Sequence, residues 1–359
     1  MDKFAFAHPS DLSGSATATS QRPVALWLLV CCAMIFAMAV IGAITRLTES
    51  GLSIMEWAPI TGTLPPLSQG EWERIFALYR EIPEYQEMNL GMSLAEFKTI
   101  FWWEYIHRLW GRLIGLVFAV PFLWFWLRGR LAPGLTPRLF FLLALGGLQG
   151  LLGWYMVASG FADRVDVSQY RLTAHLLLAL VIYAYCFWLA SGLILAEREE
   201  TAPSTDQKLK LYLYVLLCLL FLTLASGGLV AGLNAGLIYN TFPLMDGDLF
   251  PEGYWQLTPW WLNLFENITA VQFDHRALAV TTAVGTVALW IWSRRLALSR
   301  RQHQAMALLA GVVVLQVALG IATLLLVVPI WLGALHQAGA IALLTALLWA
   351  LQCLRIKTT

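Results

Sequence analysis

Long, predominantly apolar stretches recur along this chain of 359 residues, and they constrain its fold more than any other feature. The first runs from Val24 to Ile44 and carries no charge. About 20 apolar residues in a helix are needed to cross the ~30 Å hydrocarbon core of a bilayer, where every backbone polar group must be paired. Seven further stretches lie at about 104–127, 137–160, 169–196, 210–233, 262–293, 304–327 and 330–354. The sequence therefore predicts an all-α integral membrane protein with eight transmembrane helices.

Composition agrees with a membrane protein and argues against other classes. Hydrophobic residues make up 59% of the chain and charged residues 13%, and the mean hydropathy is +0.68. A net charge of +1 argues against a nucleic-acid partner, which needs a clustered basic surface. All five cysteines lie inside apolar stretches, so no exported disulfide framework is expected.

The last two stretches form one run without a charge from Gln304 to Leu354, which is too long for a single crossing. Pro329 is the expected point of interruption, because proline removes a helical hydrogen bond. A cleaved signal peptide is the competing interpretation of the first stretch. The internal repeat described below requires that helix and favours its retention.

Lysine and arginine are concentrated in alternate loops. These loops carry Arg128, Arg130 and Arg138; Lys208 and Lys210; Arg294, Arg295, Arg300 and Arg301; and Arg355 and Lys357. The intervening loops, at 46–101, 159–168 and 234–260, are long, acidic or uncharged. Because Lys- and Arg-rich loops stay in the cytoplasm, both termini are predicted to be cytoplasmic, with the large loops on the outer side.

The sequence also contains an internal repeat. Corresponding segments are 42–66 and 227–251, His107-Arg108 and His275-Arg276, 149–153 and 316–320, and His175 and His336. The predicted organisation is a polar tail at 1–23, a four-helix half at 24–196, a cytoplasmic linker at 197–209 and a second four-helix half at 210–359. The two halves are expected to be pseudo-repeated four-helix bundles of the same topology.

Four of the six histidines lie in the even-numbered stretches, one in each: His107, His175, His275 and His336. His8 in the tail and His303 in a basic loop are expected to be solvated. His175 and His336 come about seven residues after the expected helix starts at Ser168 and Pro329. His107 and His275 come later, counted from Ser93, where Glu96 completes a capping box, and from Thr258-Pro259. Part of that lead is expected to be an interfacial turn, which would place all four rings at similar depth in the outer half.

A histidine inside a membrane can serve several functions. A single one usually makes an interhelical hydrogen bond, worth roughly 0.6 kcal/mol. Proton relays use several membrane carboxylates, of which this chain has few. Two pairs repeated between halves favour two haem sites, because imidazoles on facing helices can supply both axial ligands of a haem iron.

Charged residues accompany two of these histidines. Arg108 and Arg276 follow His107 and His275 and, with Arg171, are candidate contacts for haem propionates, since guanidinium groups bind carboxylates bidentately. Snorkelling to the interface is the alternative for Arg108 and Arg276.

The first half places a carboxylate three residues before its histidine, and the second half does not. Glu104 lies three residues before His107, and Gln272 takes the corresponding place before His275. Residues three apart share a helix face, so Glu104 could exchange protons with a bound porphyrin. The alternative is a structural ion pair with Arg108 or Arg171. The asymmetry predicts a reacting site in the first half and an electron-transfer or structural site in the second.

The motifs SGLSIMEWAPITGTLPP, WWEYIHRLWGR and NTFPLMDG, together with the histidine pattern, resemble the haem A synthase family, in the branch of alphaproteobacteria and mitochondria. The resemblance covers the chain from about residue 24. It implies an oxidoreductase of the bacterial cytoplasmic (inner) membrane that oxidises a methyl group of haem O to the formyl group of haem A. The product serves cytochrome oxidase.

The same resemblance implies roles for individual residues. His107 and His175 would hold the substrate haem, His275 and His336 would be axial ligands of a haem b cofactor, and Glu104 would be the catalytic carboxylate. Expected partners are haem O synthase, cytochrome oxidase assembly factors or subunits, and a membrane electron acceptor, with a homo-oligomer as a further candidate. The cysteine pairs that another branch of the family carries in its outer loops do not occur here.

A dihaem cytochrome b that transfers electrons, or a quinone-linked membrane protein, would use the same four histidines. Two features count against it. Both predicted haem sites lie in the outer half, and only one has a glutamate beside it.

Overall fold

The computed structural model describes residues 20–58, 61–161, 167–196 and 207–354. His8, most of the predicted tail, most of the predicted linker, and Arg355 and Lys357 lie outside the described residues. In chain order the helices are α1 (Arg22–Leu47), α2 (Gln69–Tyr79), α3 (Pro83–Glu87), α4 (Leu94–Leu127), α5 (Leu135–Ala158), α6 (Gln169–Ala196), α7 (Gln207–Gly232), α8 (Asn263–Glu266), α9 (Ile268–Ser293), α10 (Arg300–Leu325) and α11 (Ile330–Cys353).

Across these described ranges, eight helices are long and apolar enough to cross a membrane: α1, α4, α5, α6, α7, α9, α10 and α11. The predicted all-α membrane fold is thereby confirmed. The division into two duplicated halves stays a prediction. We call α1 and α4–α6 the first half, and α7 and α9–α11 the second half.

Helix α4 begins where its sequence predicts. The Ser93 hydroxyl accepts a hydrogen bond from the Glu96 amide, and the Glu96 carboxylate accepts one from the Ser93 amide at 2.8 Å, which completes the capping box. The helix has 34 residues, and at about 1.5 Å per residue it is much longer than a ~30 Å hydrocarbon core. Its first turns can therefore project beyond the membrane.

Aromatic side chains cover these projecting turns. Phe76 of α2 stacks on Phe97 with ring centroids 4.9 Å apart, and Trp72 contacts the edge of Phe101 at 4.8 Å. Burial of large aromatic rings contributes substantial hydrophobic stabilisation. The long connection between α1 and α4 is thus packed against α4, and this brings residues 50–58 beside the functional part of that helix.

The break predicted at Pro329 is confirmed. Helix α10 ends at Leu325, and Pro329 is the N-cap of α11. Between them, Val327 and Val328 have φ angles of +59° and +53°, a left-handed conformation that β-branched residues rarely adopt. The chain therefore reverses here between two helices.

The sixth membrane helix begins later than 262, contrary to the prediction. A 3-10 turn (Trp260–Leu262) and the short helix α8 come first, and α9 starts only after Asn267. The Asn267 side chain accepts a hydrogen bond from the Thr269 amide at 3.0 Å and so caps α9. Asparagine is a strong N-cap, and it separates α9 from the turn that Thr258-Pro259 initiates.

The two halves approach each other closely where α6 crosses α7. A Cβ atom built on Gly228 would lie 2.7 Å from Thr173 Oγ1, and one built on Gly232 would lie 2.6 Å from the Cα of Gln169. Only glycine permits such close approach of two membrane helices. Helices α6 and α11 also contact helices of both halves.

Candidate functional site

Each of the four membrane histidines lies against a glycine of the preceding membrane helix. A Cβ atom built on any of these glycines would come within 2.9–3.1 Å of the imidazole Cε1 atom, closer than side chains normally approach. The pairs are Gly42 with His107, Gly153 with His175, Gly227 with His275, and Gly320 with His336. The same contact thus recurs at corresponding positions of the two halves, and it fixes each ring beside backbone.

The structure brings His275 and His336 together. Their ring centroids are 6.5 Å apart, and the two ring planes are nearly perpendicular, at 88°. Two imidazoles that share one metal ion through bonds of about 2 Å place their ring centroids roughly 6 Å apart. The second-half pair therefore has the separation that a haem iron between them requires.

His107 and His175 occupy the corresponding positions of the first half, and both are half-buried. The Nδ1 atoms of both rings are buried and have no hydrogen-bond partner among the residues that the structure describes. Because an unpaired buried polar atom is costly, these nitrogens fit a site that a ligand completes.

A glutamine accompanies one histidine of each pair. The side-chain amide of Gln149 donates to the backbone carbonyl of His175 at 3.0 Å, and that of Gln316 donates to the carbonyl of His336 at 3.0 Å. Each amide nitrogen also lies 3.2–3.3 Å from a nitrogen of the same imidazole ring. Each glutamine lies one turn before the glycine that seats its histidine, so the two features act from one helix face.

Glu104 is buried, with 3% of its surface exposed, and hydrogen bonds reach both of its carboxylate oxygens. Arg108 donates to Oε1 at 2.5 Å, in an ion pair between residues four apart on α4. Oε2 accepts bonds from the Ser53 hydroxyl and from the Ile54 amide, both at 2.7 Å. The ion pair considered as an alternative does exist with Arg108, and the carboxylate also receives two bonds from the connection between α1 and α4.

Gln272 makes a different set of contacts at the corresponding position. Its amide donates to the Tyr239 carbonyl at 3.2 Å, and its oxygen accepts from Arg276 at 3.3 Å. In the first half Glu104 accepts a hydrogen bond from a backbone N–H, whereas in the second half Gln272 donates one to a backbone C=O. The first half therefore holds an acceptor-only carboxylate where the second has a neutral amide.

Arg108 and Arg276 attach the connections that precede α4 and α9. Arg108 donates to the carbonyls of Ile54 and Glu56 at 2.8 and 3.3 Å. Arg276 donates to the carbonyls of Tyr239 and Thr241 at 2.6 and 2.8 Å, which are the corresponding residues of the repeat. Neither guanidinium simply extends into solvent, and both hold a loop next to a histidine-bearing helix.

Arg171 has a different environment. Its Nη1 donates to the Ser159 hydroxyl at 2.5 Å, and its guanidinium lies 4.9 Å from the centroid of the Tyr155 ring. It is one turn before His175 on α6. The suggested ion pair of Arg171 with Glu104 is not among these contacts.

An ion pair between Glu56 and Arg74 extends this network to α2. The Arg74 guanidinium donates to both oxygens of Glu56, at 2.7 and 3.0 Å, and also binds Glu71. Its hydrogen bonds hold the pKa of Glu56 below the usual range. Exposed pairs of this kind add little stability, but this one ties α2 to the segment that contacts Glu104.

Sequence reasoning did not identify Ser53, Ile54, Ser226 or the four seating glycines. The repeat contained a signal for the glycines, because Gly42 aligns with Gly227 and Gly153 with Gly320. Ser53 and Ile54 could not be identified in this way, since their bonds to Glu104 depend on how a long connection returns to α4.

The geometry fits haem in both halves. The second half has an imidazole pair at a suitable separation, and the first has buried imidazole nitrogens without partners. Imidazole is also a common axial ligand of haem iron. The residues that would hold haem are therefore His107 and His175 in one half, and His275 and His336 in the other.

Comparison with known proteins agrees with these features. A family model described as cytochrome oxidase assembly protein matches residues 25–348. A heme A synthase of Nitrosomonas eutropha is 53% identical over 342 residues, covering 95% of this chain and 96% of the relative. Those of Nitrosospira multiformis and Rhodospirillum centenum are 53% and 52% identical, covering 92% and 96% of this chain and 92% and 91% of the relatives. The chain belongs to the haem A synthase family.

Proposed function

We propose that this protein is a haem A synthase, which oxidises a methyl group of haem O to the formyl group of haem A. Family membership and the paired buried histidines support the proposal. The observation that carries it is the asymmetry between Glu104 and Gln272. A carboxylate able to accept protons stands one turn from His107, and an amide stands one turn from His275.

The residues divide into two sets. His107 and His175 hold the substrate haem, and His275 and His336 hold a haem b cofactor that supplies one-electron redox chemistry when bound. Iron ligated on both faces does not block the reaction, because the reacting carbon lies on the ring edge. A ring held between two imidazoles still presents its edge to side chains such as Glu104.

The reaction requires proton acceptors and an electron acceptor. With water as the oxygen source, which the family implies, each of two hydroxylations removes two electrons and two protons, and loss of water then gives the formyl group. Glu104 takes up protons at its carboxylate as they leave, while Ser53, Ile54 and Arg108 keep that carboxylate in place. The electrons pass to an acceptor in the membrane.

The proposal extends to the location of the protein and to its partners. We propose that the protein lies in the bacterial cytoplasmic membrane with both termini in the cytoplasm. The family description as a cytochrome oxidase assembly protein supports partners among oxidase assembly factors or subunits and haem O synthase. A homo-oligomer stays a prediction.

Replacement of Glu104 by Ala tests the catalytic role. Loss of a general base costs about 10²–10⁴-fold in rate, so haem A production should fall steeply while both haem sites still bind pigment. Production is measured by extracting haems from membranes that express each variant beside a haem O source. Glu73→Gln is the control, because this exposed glutamate of α2 accepts a hydrogen bond from Gln69, one turn earlier on the same helix. Haem A at the normal rate in Glu104→Ala would contradict the assignment.

A further inference from the structure

The imidazole of His275 has a side-chain partner on the ring nitrogen that would face away from a metal ion. The Ser226 hydroxyl lies 2.9 Å from His275 Nδ1. The same hydroxyl donates its hydrogen to the Thr223 carbonyl at 2.8 Å. With its hydrogen donated to the Thr223 carbonyl, the Ser226 oxygen can accept a hydrogen bond from Nδ1–H. That tautomer leaves the lone pair of His275 on Nε2.

The first half lacks this arrangement. By the offset that aligns Gly42 with Gly227, Ile41 takes the place of Ser226. Within the described ranges, the buried Nδ1 atom of His107 has no hydrogen-bond partner. The two rings are otherwise seated alike, since a Cβ atom on either glycine would lie 3.1 Å from Cε1. The hydroxyl is thus a specific difference between two similar imidazole sites.

Such a hydrogen bond matters for a metal ligand. A ligating histidine usually donates its other ring N–H to an acceptor, which fixes the tautomer and raises the basicity of the coordinating nitrogen. Loss of such an acceptor typically lowers metal affinity by about 10–100-fold. Tighter binding of this kind suits a cofactor that stays in its site, whereas a substrate must be able to leave its site as product.

We infer that Ser226 is a positioning residue that makes the second-half site retain its haem, and that Ile41 leaves the first-half site with a weaker, exchangeable hold. The inference rests on the proposed function, because it assumes haem on His275 in one half and on His107 in the other. The Ser226 hydroxyl accounts for retention of haem in the second half, and the lack of a hydroxyl at Ile41 accounts for exchange of haem in the first half.

Ser226→Ala tests retention. In purified full-length protein, haem b should transfer to an excess of apomyoglobin about tenfold faster than in the wild type, or more. The midpoint potential of that haem should rise, because a less basic imidazole stabilises ferric iron less. Ser226→Thr, which keeps the hydroxyl, should restore both values.

Ser293→Ala is the matched control. Ser293 is also buried and donates to a carbonyl three residues earlier, that of Trp290, at 2.6 Å. Its loss should change neither the transfer rate nor the potential. A merely structural effect of removing a buried helical hydroxyl would be common to both variants.

Ile41→Ser tests exchange from the opposite direction. A serine there can donate to the carbonyl of Met38, as Ser226 does to that of Thr223, and can accept from His107 Nδ1–H. Transfer of haem from the first half to apomyoglobin should slow about tenfold.

Each outcome separates this inference from the proposed function. If Ser226→Ala and Ile41→Ser both behave as the wild type while His275→Ala loses haem b, the inference is wrong and the haem assignment stands. If His275→Ala keeps its full haem content, the proposed function itself fails.

Discussion

At the scale of single residues, the contacts between glycine and imidazole are the most restrictive feature of the site. Each ring lies against a glycine so closely that one additional carbon atom would displace it. The histidines could be identified from the sequence because ionisable residues in apolar membrane stretches are costly and are usually kept for a function. It did not identify Ser226 or Ser53, because serine is common in membrane helices and loops, and its role depends on which atom it faces.

Gly320→Ala should weaken haem binding in the second half. The added carbon would lie 2.9 Å from His336 Cε1, and overpacking of this kind costs about 1–3 kcal/mol, which corresponds to roughly 5- to 150-fold in affinity. Haem content per purified protein measures the effect. Gly311→Ala, on the same helix, adds a carbon that meets no atom of another described helix or loop within 4 Å, and it should leave haem content unchanged. Equal haem content in both variants would refute the steric role of Gly320.

At the scale of helices, the success of prediction depended on whether a boundary is encoded locally. Ser93 and Glu96 are three residues apart and form the predicted capping box. Pro329 interrupts an apolar run, as expected for proline. The start of α9 was predicted too early, because the sequence does not show that the short helix α8 ends at Glu266 and that Asn267 then caps a separate helix.

Asn267→Ala should loosen the connection between α7 and α9. Its side-chain amide donates to the carbonyls of Gly253 and Tyr254 at 2.7 and 3.0 Å, besides capping α9. Loss of the cap alone costs about 0.5–2 kcal/mol, and loss of the loop contacts adds to it. Limited proteolysis should cleave the 234–260 connection faster than in the wild type.

Ser299→Ala serves as the comparison for this helix end. Ser299 caps α10 with a capping box, and its removal takes away a cap without touching the 234–260 connection. Cleavage in that connection should stay at the wild-type rate. Faster cleavage in both variants would mean that general destabilisation, and not the Asn267 contacts, exposes the loop.

At the scale of the whole molecule, the asymmetry of the two halves predicts different effects for histidine variants in each half. His275→Ala should lose haem b, and His107→Ala should keep haem b but make no haem A, because only the substrate site is damaged. Haem content and identity, determined after acid extraction, distinguish these outcomes. A dihaem cytochrome b would instead lose one haem b in each variant and contain no haem A in the wild type.

The close crossing of α6 and α7 has a consequence for the speed of electron flow. Gly228 and Gly232 bring the helix that carries His175 into backbone contact with the helix that seats His275. Tunnelling decays exponentially with the gap between donor and acceptor. If each half holds a porphyrin, the contact between α6 and α7 would keep the distance between the two porphyrins constant. The rate of electron transfer between them would then depend on the driving force and not on thermal separation of the helices.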